Sequence, residues 1–265
     1  MRVWEALILG IVQGATEFLP VSSSGHLVLL QRIFGIQEPA LVFDTAVHGG
    51  TMIAVIAVLR RDIWSILSRI FQPLTLHLII ATIPAVAAAL FFKSSIEDAF
   101  TSASFLGPAF LVTSILLFIS DKRLPPGPQT KGSDNMNIVD ALVIGLFQAV
   151  AVVPGISRSG ATISAALFRR LDRDFAARFS FLLSIPAIAG ALVLQIRELA
   201  GTSANTVMEP IPLAVGTLSA CIVAFFSIHL ALKIVRERSL LGFALYTGIL
   251  GLLVLADKLV LHFFF

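Results

Sequence analysis

Six stretches of this 265-residue chain run for roughly a membrane thickness with few charges: Phe43–Leu59, Leu74–Phe92, Ala103–Ser120, Phe175–Gln195, Ile211–Leu232 and Leu240–His262. About 20 apolar residues are needed for a helix to cross a bilayer, so these six read as spanning helices. Composition agrees. Charged residues make up 13% and hydrophobic residues 57%, and the mean hydropathy is +0.94. A soluble domain carries about a quarter charged residues. The single cysteine, Cys221, can form no internal disulfide, and a net charge of +3 spread over loops says nothing for a nucleic-acid partner, so none is expected. Met1-Arg2 and the apolar run behind it resemble a signal peptide, but no small-residue cleavage site follows.

Two shorter apolar pieces, Trp4–Thr16 and Ile138–Val153, behave differently. Each ends near a proline, runs into a segment rich in serine and glycine, and resumes as a second apolar piece, Leu27–Phe34 or Ala161–Phe168. Two half-length helices around a polar bend describe a re-entrant hairpin, since irregular backbone survives at membrane depth only where protein or water surrounds it. At an offset of 135, Ala6, Leu7, Gly10, Gln13, Ser22, Ser24 and Gly25 match Ala141, Leu142, Gly145, Gln148, Ser157, Ser159 and Gly160. The pattern predicts an all-α integral membrane protein with six full transmembrane helices plus two re-entrant helical hairpins. Residues 1–120 form the first repeat, 121–137 a cytoplasmic linker with Pro125-Pro126-Gly127-Pro128, and 138–265 the second repeat.

Charge sets the orientation. Arg60, Arg61, Arg69, Lys122, Arg123, Lys131, Arg169, Arg170, Arg173, Lys233, Arg236 and Arg238 fall on one side, against Arg2, Arg32, Lys93, Arg197 and Lys258 on the other. The positive-inside rule puts the larger set in the cytoplasm. Each repeat is then a hairpin followed by three spans, so the two lie inverted, with both termini outside and both hairpin tips near the midplane. Trp4 and Trp64 lie near span ends, where an interfacial belt places them.

The polar residues of the tips carry the chemistry. Gln13 and Glu17 stand four apart and stack on one helix face, where two oxygen donors suit a hard cation such as Mg²⁺ or Ca²⁺. Ser22-Ser23-Ser24-Gly25-His26 offers nucleophiles beside a base and the N–H groups of a helix start, which favour anions. The same serines also serve as plain helix caps. In Pro154-Gly155-Ile156-Ser157-Arg158-Ser159-Gly160-Ala161-Thr162, Arg158 is the sole basic residue between Ile138 and Phe168. At that depth it requires an anion, either a substrate phosphate or the carboxylate of Glu17 or Asp44. Asp44 and His48 share a helix face, and whether they line the cavity or the interface stays open. His77, Arg178, His229 and His262 read as span-end residues.

On the runs Gln13-x-x-x-Glu17, Phe18–His26 and Pro154–Ser159, with Phe43–Thr51 and Arg178–Pro186 in support, the chain resembles the undecaprenyl-diphosphate phosphatases of the bacitracin-resistance type. The resemblance covers nearly the whole chain. It implies a bacterial inner-membrane enzyme that works with Mg²⁺ or Ca²⁺ at the outer face. Its substrate would be a polyprenyl diphosphate lipid, whose terminal phosphate it removes for cell-wall synthesis. It implies functional roles for Glu17, Ser23, His26, Ser157 and Arg158, with Gln13 at the first position of the acidic motif. Around them, Ser22, Ser24, Gly25, Gly155, Ser159, Gly160 and Thr162 are expected to bind the substrate phosphates. Glutamine at position 13 leaves one charge fewer for a metal held by Glu17 and Gln13. The reading permits a homodimer. Architecture alone favours a secondary transporter or flippase of an anionic lipid or small anion; the Ser-His-Glu-Arg cluster tips the balance to the enzyme.

Overall fold

A computed structural model describes residues 1–36, 41–103, 105–123, 131–201 and 209–264. The predicted prolines of the linker lie outside them. The chain forms α1 (Val3–Thr16), α2 (Ser23–Ile33), α3 (Leu41–Val58), α4 (Arg60–Ser68), α5 (Pro73–Phe91), α6 (Lys93–Ser102), α7 (Leu106–Arg123), α8 (Ile138–Val150), α9 (Arg158–Phe168), α10 (Arg173–Gly201), α11 (Pro210–Glu237) and α12 (Leu241–Ala256). Among the described residues the β contact is a single parallel bridge between Lys131 and Leu171.

The protein is all-helical, and its long apolar helices make it a multi-pass membrane protein. Four helical stretches are long and apolar enough to cross a bilayer: Pro73–Phe91, Arg173–Arg197, Pro210–Glu237 and Leu241–Val260. A fifth is added if α3 and α4, bent by 76° at Leu59, count as one. Each of the six predicted spans overlaps a helix. However, α7 closes on Asp121, Lys122 and Arg123, so the helix runs into the stretch expected to be linker. Helices α4 and α6 were not expected from the sequence, because each carries charges within its first few residues and neither is long enough to read as a span.

Helices α1 and α8 have 14 and 13 residues. At about 1.5 Å per residue each reaches only some 20 Å, short of a bilayer core of about 30 Å. Both stop at a polar bend, after which α2 and α9 begin. Glycine brings each short helix against a long one. A Cβ on Gly10 would lie 2.3 Å from the Gly216 carbonyl of α11, and one on Gly145 would lie 2.5 Å from the Ala81 carbonyl of α5. Without a hydrophobic effect between helices in lipid, such close backbone approach supplies the packing. Thus α1, from the front of the chain, docks on α11 from the back, and α8 docks on α5.

Ion pairs close one end of the bundle. The fully buried Arg173 donates to the carbonyls of Val235 (2.7 Å) and Arg238 (2.8 Å) and faces Asp121 at 3.4 Å. Asp121 also accepts from Ser239 and the Leu240 N–H. Nearby in sequence, Asp140 accepts from Arg169 (2.6 Å) and Lys131 (3.1 Å). At the other end Trp4 meets Phe34 edge-on, and Arg32 donates to the Phe264 carbonyl. The chain termini therefore share one face.

Candidate active site

Both bends end in a serine that caps the next helix. Ser22 Oγ accepts from the Gly25 N–H (3.3 Å), and Ser157 Oγ accepts from the Gly160 N–H (2.9 Å). Each also lies beside the serine two positions on, Ser24 at 3.4 Å and Ser159 at 3.3 Å. These contacts are what a helix start needs, and they occupy Ser22 and Ser157. Ser22 is held at φ 70°, a region costly for a residue with a side chain, and Gly155 at φ 94°.

The two bends touch. Ser159 Oγ donates to the Leu19 carbonyl (2.9 Å), and a Cβ on Gly25 would lie 3.0 Å from Gly155 Cα. At the contact sits Glu17, 6% exposed, whose two oxygens have different partners. Arg158 Nη2 donates to Oε1 at 2.6 Å. Gln13 Nε2 (2.9 Å) and Ser23 Oγ (2.5 Å) donate to Oε2. The predicted stacking of Gln13 and Glu17 is this hydrogen bond, since Glu17 continues the helical turn of α1. Two buried polar atoms, Gln13 Oε1 and Arg158 Nη1, have no partner within the protein. A buried donor or acceptor left unpaired costs about 1–3 kcal/mol, and two of them fall at this contact.

Residues 6–253 match the family described as bacitracin resistance protein BacA. The chain is 42% identical over 256 residues to an undecaprenyl-diphosphatase of Carboxydothermus hydrogenoformans, covering 96% of this chain and 97% of the relative. It is 43% identical over 255 residues to undecaprenyl-diphosphatase 4 of Bacillus cereus, with the same coverage. A relative of the same name from Desulforapulum autotrophicum is 40% identical over 274 residues. This chain belongs to the BacA family.

In this BacA-family chain not every expected residue faces the carboxylate. His26 donates from Nδ1 to the Ser22 carbonyl (2.6 Å), and its Nε2 accepts from the Tyr246 hydroxyl at 2.7 Å. Its ring stacks on Tyr246 and meets Phe110 edge-on, so His26 supports the strained Ser22 backbone rather than approaching Glu17. Thr162 bonds the Arg158 carbonyl and Ser180. Gly25 and Gly155 make the close approach, and Ser24 has Ser22 beside it.

His48, whose role the sequence left open, does reach the site. Its Nδ1 donates to the Asp44 carbonyl, which points Nε2 at Glu17 Oε2, 3.8 Å away. Asp44 itself accepts from Gln31 and not from Arg158. Two residues had no place in the sequence reading. Thr113 of α7 accepts from the Ser157 N–H and donates to the Gly155 carbonyl. Tyr246 of α12 holds His26. Tyr246 is the chain's single tyrosine, a signal that could have been read; Thr113 carried none.

Proposed function

We propose that this chain is an undecaprenyl-diphosphate phosphatase of the bacterial inner membrane. It hydrolyses the diphosphate of the lipid carrier to undecaprenyl phosphate and inorganic phosphate, and so confers bacitracin resistance. The observation that carries the reading is the chain Ser23–Glu17–Arg158 joining the two bends, with Arg158 Nη1 buried and unpaired beside it. The names of the relatives agree.

The lipid tail stays in the bilayer while the diphosphate enters between the bends. Phosphoryl transfer asks chiefly for positioning and charge neutralisation. Arg158 keeps one arm of its guanidinium on Glu17 and offers Nη1 to a phosphate oxygen. Ser23 Oγ–H already points at Glu17 Oε2, so Glu17 takes the proton as Ser23 Oγ bonds to the terminal phosphorus. Glu17 hands that proton to the bridging oxygen as its bond breaks, and undecaprenyl phosphate leaves. Water then attacks the phosphoserine, passing a proton to the freed Glu17 carboxylate, which returns it to Ser23 Oγ as the P–O bond breaks and inorganic phosphate leaves.

Gln13 Oε1, a buried hard oxygen without a partner, fits a divalent cation together with Glu17 and substrate oxygens. Mg²⁺ or Ca²⁺ held there would supply further neutralisation of the diphosphate.

Six spans and two re-entrant hairpins in inverted repeats complete the reading. The crossed docking of α1 on α11 and α8 on α5, with Gly10 and Gly145 at equivalent positions, supports it. So do the paired caps Ser22–Gly25 and Ser157–Gly160. The basic end faces the cytoplasm, both termini lie outside, and the site opens outward. Purified protein in detergent tests the function directly. Cation-dependent phosphate release from undecaprenyl diphosphate, lost in Glu17→Gln, is the expected result, whereas a carrier releases none.

A further inference from the structure

Helix α4 has no part in the site, and its surface is unusual. It leaves α3 at 76° after Leu59, so it lies across the direction of the span before it. Ile63 and Ile66 pack on the core, while Trp64 is 73% exposed and Leu67 60%. In the turn that follows, Ile70 is more than half exposed and Phe71 fully open. Leu67–Gln72 line a shallow groove of about 470 Å³. Arg69 lines it, Arg61 is exposed in the first turn of α4, and among the described residues neither guanidinium has an ion-pair or hydrogen-bond partner. Asp62, on the same short helix, is tied to Arg178 of α10 at 3.2 Å, which fixes α4 to the bundle.

We infer that α4 and the turn after it form a docking site for an anionic phospholipid. The groove along Leu67, Ile70 and Phe71 takes an acyl chain, and Arg61 and Arg69 take the headgroup. The helix is amphipathic, and beyond the face that packs on the core it leaves Trp64 and Leu67 open, as in helices that lie in the membrane interface. Unpaired guanidinium groups at that level need a counter-charge, and a net-negative headgroup supplies it where a zwitterionic one is already internally neutralised. Each basic residue near an anionic surface favours binding roughly fivefold. Two therefore give a preference of about 5- to 25-fold over a zwitterionic lipid. The inference is independent of the phosphatase reading.

Trp64 reports on this site directly. Trp4 is the other tryptophan, so Trp4→Phe leaves Trp64 as the sole indole, and phenylalanine keeps the edge contact with Phe34. The full-length protein is reconstituted in phosphatidylcholine–phosphatidylglycerol vesicles in which either one lipid or the other carries brominated chains. Brominated phosphatidylglycerol is expected to quench Trp64 several-fold more per mole fraction than brominated phosphatidylcholine. Adding Arg61→Gln and Arg69→Gln should bring the two to parity while quenching itself persists, which shows the helix still in place. Equal quenching in the parent overturns the inference. So does an unchanged preference in the double variant, or a Trp64 that neither lipid quenches.

Discussion

Glu17 and Arg158 lie 141 positions apart and meet at 2.6 Å, each at the bend of a different broken helix. The pair joins the two bends electrically, and it also leaves half of the guanidinium unspent. Removing one partner strands a buried charge, which in proteins costs about 3–5 kcal/mol. Glu17→Gln should therefore lose stability toward the lower end of that range, because Arg158 is partly open. It should also lower kcat by about 10²–10⁴ through loss of the proton acceptor. Adding Arg158→Gln should recover much of the stability and none of the activity. Thermal unfolding in detergent beside phosphate release separates the two effects.

Arg158→Lys keeps the charge but not the fork, so one ammonium has to serve both Glu17 and the phosphate. The lost charge-assisted hydrogen bond is worth about 1.5–3 kcal/mol, which predicts a fall of roughly 10- to 100-fold in kcat/KM. Steady-state kinetics on undecaprenyl diphosphate checks it, and wild-type turnover would remove the guanidinium from the mechanism.

Contact between the bends can be captured covalently. A Cβ on Gly160 would lie 3.5 Å from Pro20 Cβ, inside the range of about 3.5–4.5 Å that a disulfide needs. With Cys221→Ser as background, Pro20→Cys and Gly160→Cys should cross-link under mild oxidation. A protease site placed in the 124–130 linker then yields halves that separate on a gel only after reduction.

Asp121→Asn is the structural contrast. It strands the buried Arg173 at the far end of the bundle and should cost about 3 kcal/mol. Folded protein should retain kcat within about twofold, since neither group touches the bends. Melting temperature and turnover, measured on one preparation, decide it.

Chelation should abolish phosphate release, and Mg²⁺ or Ca²⁺ should restore it. Gln13→Glu adds a carboxylate where a neutral amide stands, and cation affinity rises with ligand charge. The half-saturating Mg²⁺ concentration should drop about tenfold. An unchanged value would place the cation elsewhere.

Much of this protein is written in local chemistry. Lipid demands that backbone bonds be made within a helix, so apolar length alone marked the helices long enough to cross it. The two short ones were marked by Pro20, Pro154 and the polar residues crowded after them. The Gln13–Glu17 bond follows from helical spacing, and the capping serines from the rules of helix starts. Distance in sequence hid the rest. Ser22, Ser23 and Ser24 are alike as letters, and only the fold turns Ser23 to Glu17 while its neighbours stay with Gly25 and each other. His26 looked like the site's histidine because it sits beside Ser23. Tyr246, 220 positions away, draws it aside, and His48 arrives from α3 instead. The 76° bend before α4 was equally hidden, since Leu59 carries no helix-breaking side chain. Periodicity and burial are set by each segment's own solvent, whereas the partner of a polar atom is set by whatever element packs opposite, which no single segment encodes.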